Sequence, residues 1–209
     1  MTKLLLLTLP LTFAALHPDT ASAASVALVA NQVIIDNSPF YSVGGEDSIG
    51  SGNYALNYPT FIDIPYAIFD FGASSSVSSA TLSWRFIDLF GGSGPASITL
   101  YAGNDASGTI TTSDRFMGTA VDTSTYSGGG LHTFDVTAFV NSSLSSGRYF
   151  AVRLEATVPP SSLSGYYGGQ FDTPSLEASA GTATPEPATL LLIGTGLIAV
   201  GLRQLKKRV

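Results

Sequence analysis

Ala80-Thr81-Leu82-Ser83-Trp84-Arg85-Phe86 alternates apolar and polar residues without a break. Successive side chains of a strand point to opposite faces, so Ala80, Leu82, Trp84 and Phe86 share one face. Thr81, Ser83 and Arg85 take the other, which is the pattern of a half-buried strand. Arg148 to Ala156 repeats it, with Phe150, Val152, Leu154 and Ala156 on one side and Arg153 and Glu155 opposite. Shorter predicted strands are Ser25–Ile35, Tyr66–Phe71, Ile98–Tyr101, Phe116–Val121 and His132–Val136. Turn chemistry separates them at Gly91-Gly92-Ser93-Gly94-Pro95, Gly103-Asn104-Asp105, Ser127-Gly128-Gly129-Gly130 and Pro159-Pro160. One helical turn is predicted over Val136–Asn141, after Asp135 as its cap. Short strands at this spacing, with no crossover helices, predict an all-β, antiparallel β-sandwich.

Outward from that sandwich, both ends of the 209-residue chain read as addresses. Residues 1–23 have the build of a signal peptide: Lys3, an apolar run from Leu4 to Leu16, then small Ala21 and Ala23 at the positions a signal peptidase reads. Cleavage after Ala23 is expected, with the bond after Ala24 as the alternative. The domain is then 24–178, followed by an Ala/Gly/Thr-rich linker at 179–184. Cysteine is absent, so no disulfide, thiolate zinc site or cysteine nucleophile exists. Between the two ends only four basic residues remain, Arg85, Arg115, Arg148 and Arg153, against 13 acids, a net charge near −9. Such a surface repels phosphate backbones and disfavours nucleic acid as a partner.

Residues 185–209 fall into three parts. Pro185-Glu186-Pro187 is held extended, because each proline disfavours helix in the residue before it. Residues 188–202 carry no charge and predict a single transmembrane helix. At about 1.5 Å per residue this helix spans about 22 Å, short of a hydrocarbon core of about 30 Å. Arg203, Lys206, Lys207 and Arg208 form a basic stop-transfer tail that the positive-inside rule keeps in the cytoplasm.

This arrangement resembles the PEP-CTERM sorting signal of Gram-negative bacteria, carried by substrates of the membrane protease-transferases called exosortases. The resemblance rests on the motif 185–187, the Gly-containing apolar stretch and the Arg/Lys tail, in that order. It implies signal peptidase and an exosortase as partners and a transient stay in the inner membrane. Cleavage at or near the motif then delivers the protein to the cell surface or extracellular matrix, often in bacteria that make exopolysaccharide. A second resemblance runs from Tyr66 to Ala178, through Ala67-Ile68-Phe69-Asp70-Phe71, Phe134-Asp135-Val136-Thr137 and Pro174-Ser175-Leu176-Glu177-Ala178. It is to DNRLRE-type domains, which are similar to carbohydrate-binding modules, and it implies a jelly-roll form of the sandwich.

The chemistry between the ends is sparse, and no catalytic residue is assigned. His132 is the only histidine after the signal peptide, and Asp135, three residues on, belongs to the opposite face of a strand. No metal site is assigned and no cofactor is expected; a structural calcium ion, which needs several oxygens at once, has as its candidates Asp36, Glu46, Asp47 and Asp172. Exopolysaccharide would be met by flat rings, and Tyr54, Tyr58, Tyr166 and Tyr167 lie in Gly/Ser/Asn/Pro-rich stretches that read as loops. These features point to a non-enzymatic structural or exopolysaccharide- and biofilm-associated binding protein of the surface or matrix. A polysaccharide-active enzyme and a permanently membrane-anchored adhesin are the alternatives.

Overall fold

The computed structural model describes residues 22–37, 47–52, 54–58, 61–89, 95–157 and 167–181. The signal segment through Ala21, Glu46, Tyr166, the linker beyond Gly181, Pro185-Glu186-Pro187 and the apolar segment with its basic tail lie outside the described residues. The strands are β1 (Ala24–Ser25), β2 (Ala27–Asp36), β3 (Ser48–Gly50), β4 (Tyr54–Tyr58), β5 (Phe61–Asp70) and β6 (Val77–Leu89). They continue with β7 (Ala96–Asn104), β8 (Thr119–Tyr126), β9 (Gly130–Asp135), β10 (Tyr149–Ala156), β11 (Tyr167–Phe171) and β12 (Ser175–Ala180). A 3-10 helix covers Thr112–Phe116 and one α-helix, α1, covers Thr137–Leu144.

Among the described residues every strand pairing is antiparallel. One layer runs β3-β2-β5-β10-β7-β8. The other is built on β6, with β9 on one edge and β12 and β11 on the other. β1 adds to β12, and β11 passes to β4, which pairs with β5 and joins the layers. The fold is an antiparallel β-sandwich.

The alternation in β6 is what closes it. Ala80, Leu82, Trp84 and Phe86 are all buried and meet Phe150, Val152 and Leu154 of β10 and Ile98 and Leu100 of β7. Helix α1 adds Val140 and Leu144 to the same core. Its cap position is Val136 rather than the expected Asp135, which stands one residue earlier and accepts at Oδ1 from Thr137 N at 3.0 Å and Thr137 Oγ1 at 2.6 Å. Asn141 then fastens the helix to β6, accepting from Val77 N at 2.8 Å and donating to Val77 O at 3.0 Å.

The opposite face of β5 and β10 is not open to water. Ile34, Ile62, Ile64, Tyr66, Ile68 and Ala151 form a second apolar cluster, and the segment 105–118 lies over it through Ile110 and Met117. This explains why Arg153, expected on an outward face, is only 5% exposed. Its Nε donates to Met117 O at 2.8 Å, and Nη1 meets Glu155 Oε2 at 2.5 Å. Its guanidinium lies 3.8 Å from the centre of the Tyr101 ring. Tyr66 donates to Asp105 Oδ2 at 3.2 Å, and burial holds the phenol well above its ordinary pKa.

One predicted strand is corrected. Phe116–Val121 is not continuous, because Thr111 N donates to Asp114 Oδ2 at 2.6 Å and starts a 3-10 turn that runs through Phe116. Gly118 then takes φ 85°, and a Cβ there would stand 2.6 Å from Ala102 O. Only glycine passes so close to β7, so pairing with β7 resumes at Thr119. The last strand also runs to Ala180, so Ser179 and Ala180, expected as linker, belong to the sheet.

Candidate functional site

β5 runs ten residues from Phe61 to Asp70, which separates two ends of the sandwich by about 30 Å at about 3.3 Å per residue. The Asp70 end holds β1, the start of β6 and the close of β12. The Phe61 end holds β4, the close of β2 and the starts of β7 and β11.

Tyr54 and Tyr58, expected in loops, lie at the Phe61 end on strand β4 and are half-buried. The expectation missed the strand because it is five residues long, with Pro59 directly after it. Tyr54, Leu56 and Tyr58 alternate onto one face. The β4–β5 register pairs Tyr58 with Phe61 and Leu56 with Asp63, which brings Phe61 and Asp63 to that same face. The Tyr58 and Phe61 rings stand 5.3 Å apart at 40°. Across the next strand, Gln170 pairs with Tyr54.

Asp63 is the residue that sequence reasoning missed. Its Oδ1 is buried and accepts no hydrogen bond. Its register partners on either side are Leu56 and Ile35, neither of which offers a side-chain donor. Desolvation without a compensating donor pushes its pKa up to about 6. A signal for it was available: a lone acid inside the apolar run Phe61-Ile62-Asp63-Ile64-Pro65-Tyr66. A buried acceptor without a donor, beside aromatic rings, suits a ligand that brings hydroxyl groups.

The ionisation of Asp63 has a measurable consequence. Its carboxyl holds a proton more tightly in the folded chain, at about 6, than in the unfolded chain, at about 3.9. Its contribution therefore favours folding fully below pH 4 and is lost as pH rises through 6. Asp63→Asn is expected to exceed the parent in stability at pH 7 by about 1–2 kcal/mol, a value reduced for the side chain's partial contact with solvent. The gap should close by pH 4 in urea denaturation, and identical pH profiles for the two proteins would refute it.

Tyr167 also lies in a strand rather than a loop. It packs against the core, and its hydroxyl accepts from Ser97 N at 2.7 Å. Its ring is committed to holding β11 near β7, which leaves Tyr54 and Tyr58 as the described tyrosines of the candidate face.

The calcium candidates are arranged differently from a cation cage. Asp36 and Asp47 are brought together, but around Arg115, whose Nη1 pairs with Asp36 and stands 2.9 Å from Asp47 Oδ2. Asp172 sits on the β11–β12 connection, where its Oδ1 accepts from Thr173 N at 2.8 Å. Among the described residues no three His, Cys, Asp or Glu side chains converge to hold a metal ion. His132 lies tilted against Tyr126, with ring centres 4.4 Å apart and planes at 56°, while Asp135 is engaged by Thr137, so the two form no catalytic pair.

No curated protein matches the chain. Among solved structures, a family 35 carbohydrate binding module from Clostridium thermocellum is 13% identical, covering 77% of this chain and 100% of that one with a TM-score of 0.34. The K1 cleaved adhesin domain of Lys-gingipain from Porphyromonas gingivalis W83 is 15% identical, covering 78% and 99% with a TM-score of 0.34. The xylan-binding module CBM15 is 13% identical, covering 78% and 99% with a TM-score of 0.33. Residues 183–208 match the model of the PEP-CTERM protein-sorting motif, so this chain carries that motif directly after its β-sandwich.

Proposed function

We propose that this is an exported, non-enzymatic surface protein, sorted by an exosortase, whose Phe61 end binds exopolysaccharide. The observation that carries the sorting half is the motif match over 183–208. Signal peptidase removes residues 1–23, and the apolar segment 188–202 holds the chain briefly in the inner membrane with Arg203, Lys206, Lys207 and Arg208 inside. The exosortase then reads Pro185-Glu186-Pro187 and releases the sandwich to the surface or matrix.

The binding half is supported by Tyr54, Tyr58 and Phe61 on one face of the β4–β5 hairpin, with the Asp63 carboxyl among them. Aromatic faces cover the apolar faces of sugar rings, and a buried acceptor without a donor selects hydroxyls. This face lies at the far end of the sandwich from Ala180, where the chain leaves for its sorting motif. Surface attachment through that end would hold the aromatic face outward.

Binding of the processed protein to the exopolysaccharide of its own cells, measured by calorimetry, tests this. Tyr58→Ala is expected to weaken binding about tenfold, the loss of one ring contact of about 1.5 kcal/mol. Unchanged affinity would refute the assignment of this face. Release of oligosaccharides from the polymer would refute the non-enzymatic reading.

A further inference from the structure

At the Asp70 end, the chain stays pinned to the sandwich almost until the sorting motif begins. Ala180 is paired with Val77, and Gly181 N donates to Ser76 O at 3.3 Å. From Gly181 to Glu186 is five residues, which reach at most about 18 Å at roughly 3.5 Å each. A protease that encloses Glu186 in its own active site therefore works within that distance of a folded sandwich. The surface around the exit is the part of the sandwich that stands nearest to it.

The make-up of that surface suits close approach. Ser22, Ala24, Ser25, Ser74, Ala178 and Ala180 line a cavity of about 290 Å³ there. The exit is ringed by small uncharged residues, including Gly72, Ala73, Ser75 and Ser76, all exposed. Two acids stand there: Asp70, which also lines the cavity and is paired with Arg148, whose Nε donates to Asp70 Oδ1 at 2.8 Å, and Glu177, exposed on β12 opposite Ser25. The domain as a whole is strongly acidic, so an anionic bilayer surface repels it. A rim of small residues around a cavity, with few charges, fits a protein partner better. Ser22, which forms part of the cavity wall, is removed if the signal is cut after Ala23, so the cavity opens further in the signal-processed chain.

We infer that the Asp70 end of the sandwich is the docking face for the membrane-embedded sorting protease, engaged after signal removal. The inference rests on the sorting reading of residues 183–208. It names a contact that this reading does not itself require, since a longer tether would let the enzyme cut without touching the domain.

The test places a photo-activated cross-linking residue at Ser75, or at Gly128 as a control, in the full chain in cells that make the sorting enzyme. Gly128 is exposed at the opposite end of β7, with nothing within 4 Å of an added Cβ. Ser75 is expected to yield an adduct with the protease and Gly128 none. Inserting about a dozen Gly/Ser residues after Gly181 should cut the adduct about tenfold while cleavage continues, because effective concentration falls with tether length. Equal adducts from both positions, or adducts at Ser75 to lipid alone, would overturn the docking face. Failure of the unaltered chain to be cut would overturn the sorting reading and the docking face with it; normal cutting without an adduct would overturn only the latter.

Discussion

Trp84→Ala is expected to lower the free energy of unfolding by about 3–5 kcal/mol, the largest loss from any single core substitution in this domain. Trp84 sits at the middle of β6 and is 2% exposed. Its ring meets Phe171 edge-on with centres 5.9 Å apart, and Phe171 in turn touches Phe86 at 5.1 Å and Tyr126 at 5.4 Å. Truncation removes the side of this aromatic group that joins β6 to β11. It also removes the indole Nε1 that donates to Asp172 O at 2.6 Å, leaving a carbonyl of the β11–β12 connection without its donor. A domain of this size has about 5–15 kcal/mol in total, so the variant stands near the limit of folding. Trp84→Phe separates the two effects: it retains a ring and loses the hydrogen bond, with an expected cost of about 1–2 kcal/mol. Urea unfolding of the three proteins checks this, and a loss under about 1 kcal/mol for Trp84→Ala would contradict the central place given to β6.

Glu186→Ala is expected to leave export intact and to trap the full-length chain in the inner membrane. Glu186 lies between two prolines and is the only charged residue between Glu177 and Arg203. An enzyme that reads this strip has one carboxylate to recognise. A site built for a polar group rejects a substrate that lacks it, by a factor of about 100 or more. The surface form should fall by at least that factor in fractionated cells, with no loss of total protein. Undiminished surface delivery of the variant would contradict the role of Glu186.

Much of the fold was legible because it depends on local alternation. The periods in Ala80–Phe86 and Arg148–Ala156 are burial patterns of single strands, and both are buried where the pattern requires. The helix was legible for the same reason, though its cap is Val136, one residue after the expected Asp135. What was not legible depends on residues far apart. Arg153 reads as solvent-facing until the segment 105–118, from between β7 and β8, folds over it. Strand β11 reads as a loop because of Gly168 and Gly169, yet the Phe86 ring lies 2.2 Å from where a Cβ on Gly169 would be. Glycine there makes room for the Phe86 ring of the neighbouring strand β6 rather than letting the chain turn. Tyr54 and Tyr58 were named from composition as candidate sugar contacts, while Phe61 and Asp63 join them only through the β4–β5 register.

Intact-mass spectrometry of the protein released from the cell surface tests the whole account most directly. The chain is predicted to begin at Ala24 and to have lost everything beyond the Pro185-Glu186-Pro187 motif. In cells without the sorting enzyme it should instead be found in the membrane with Arg203, Lys206, Lys207 and Arg208 still attached. A surface product that retains those four residues would contradict it.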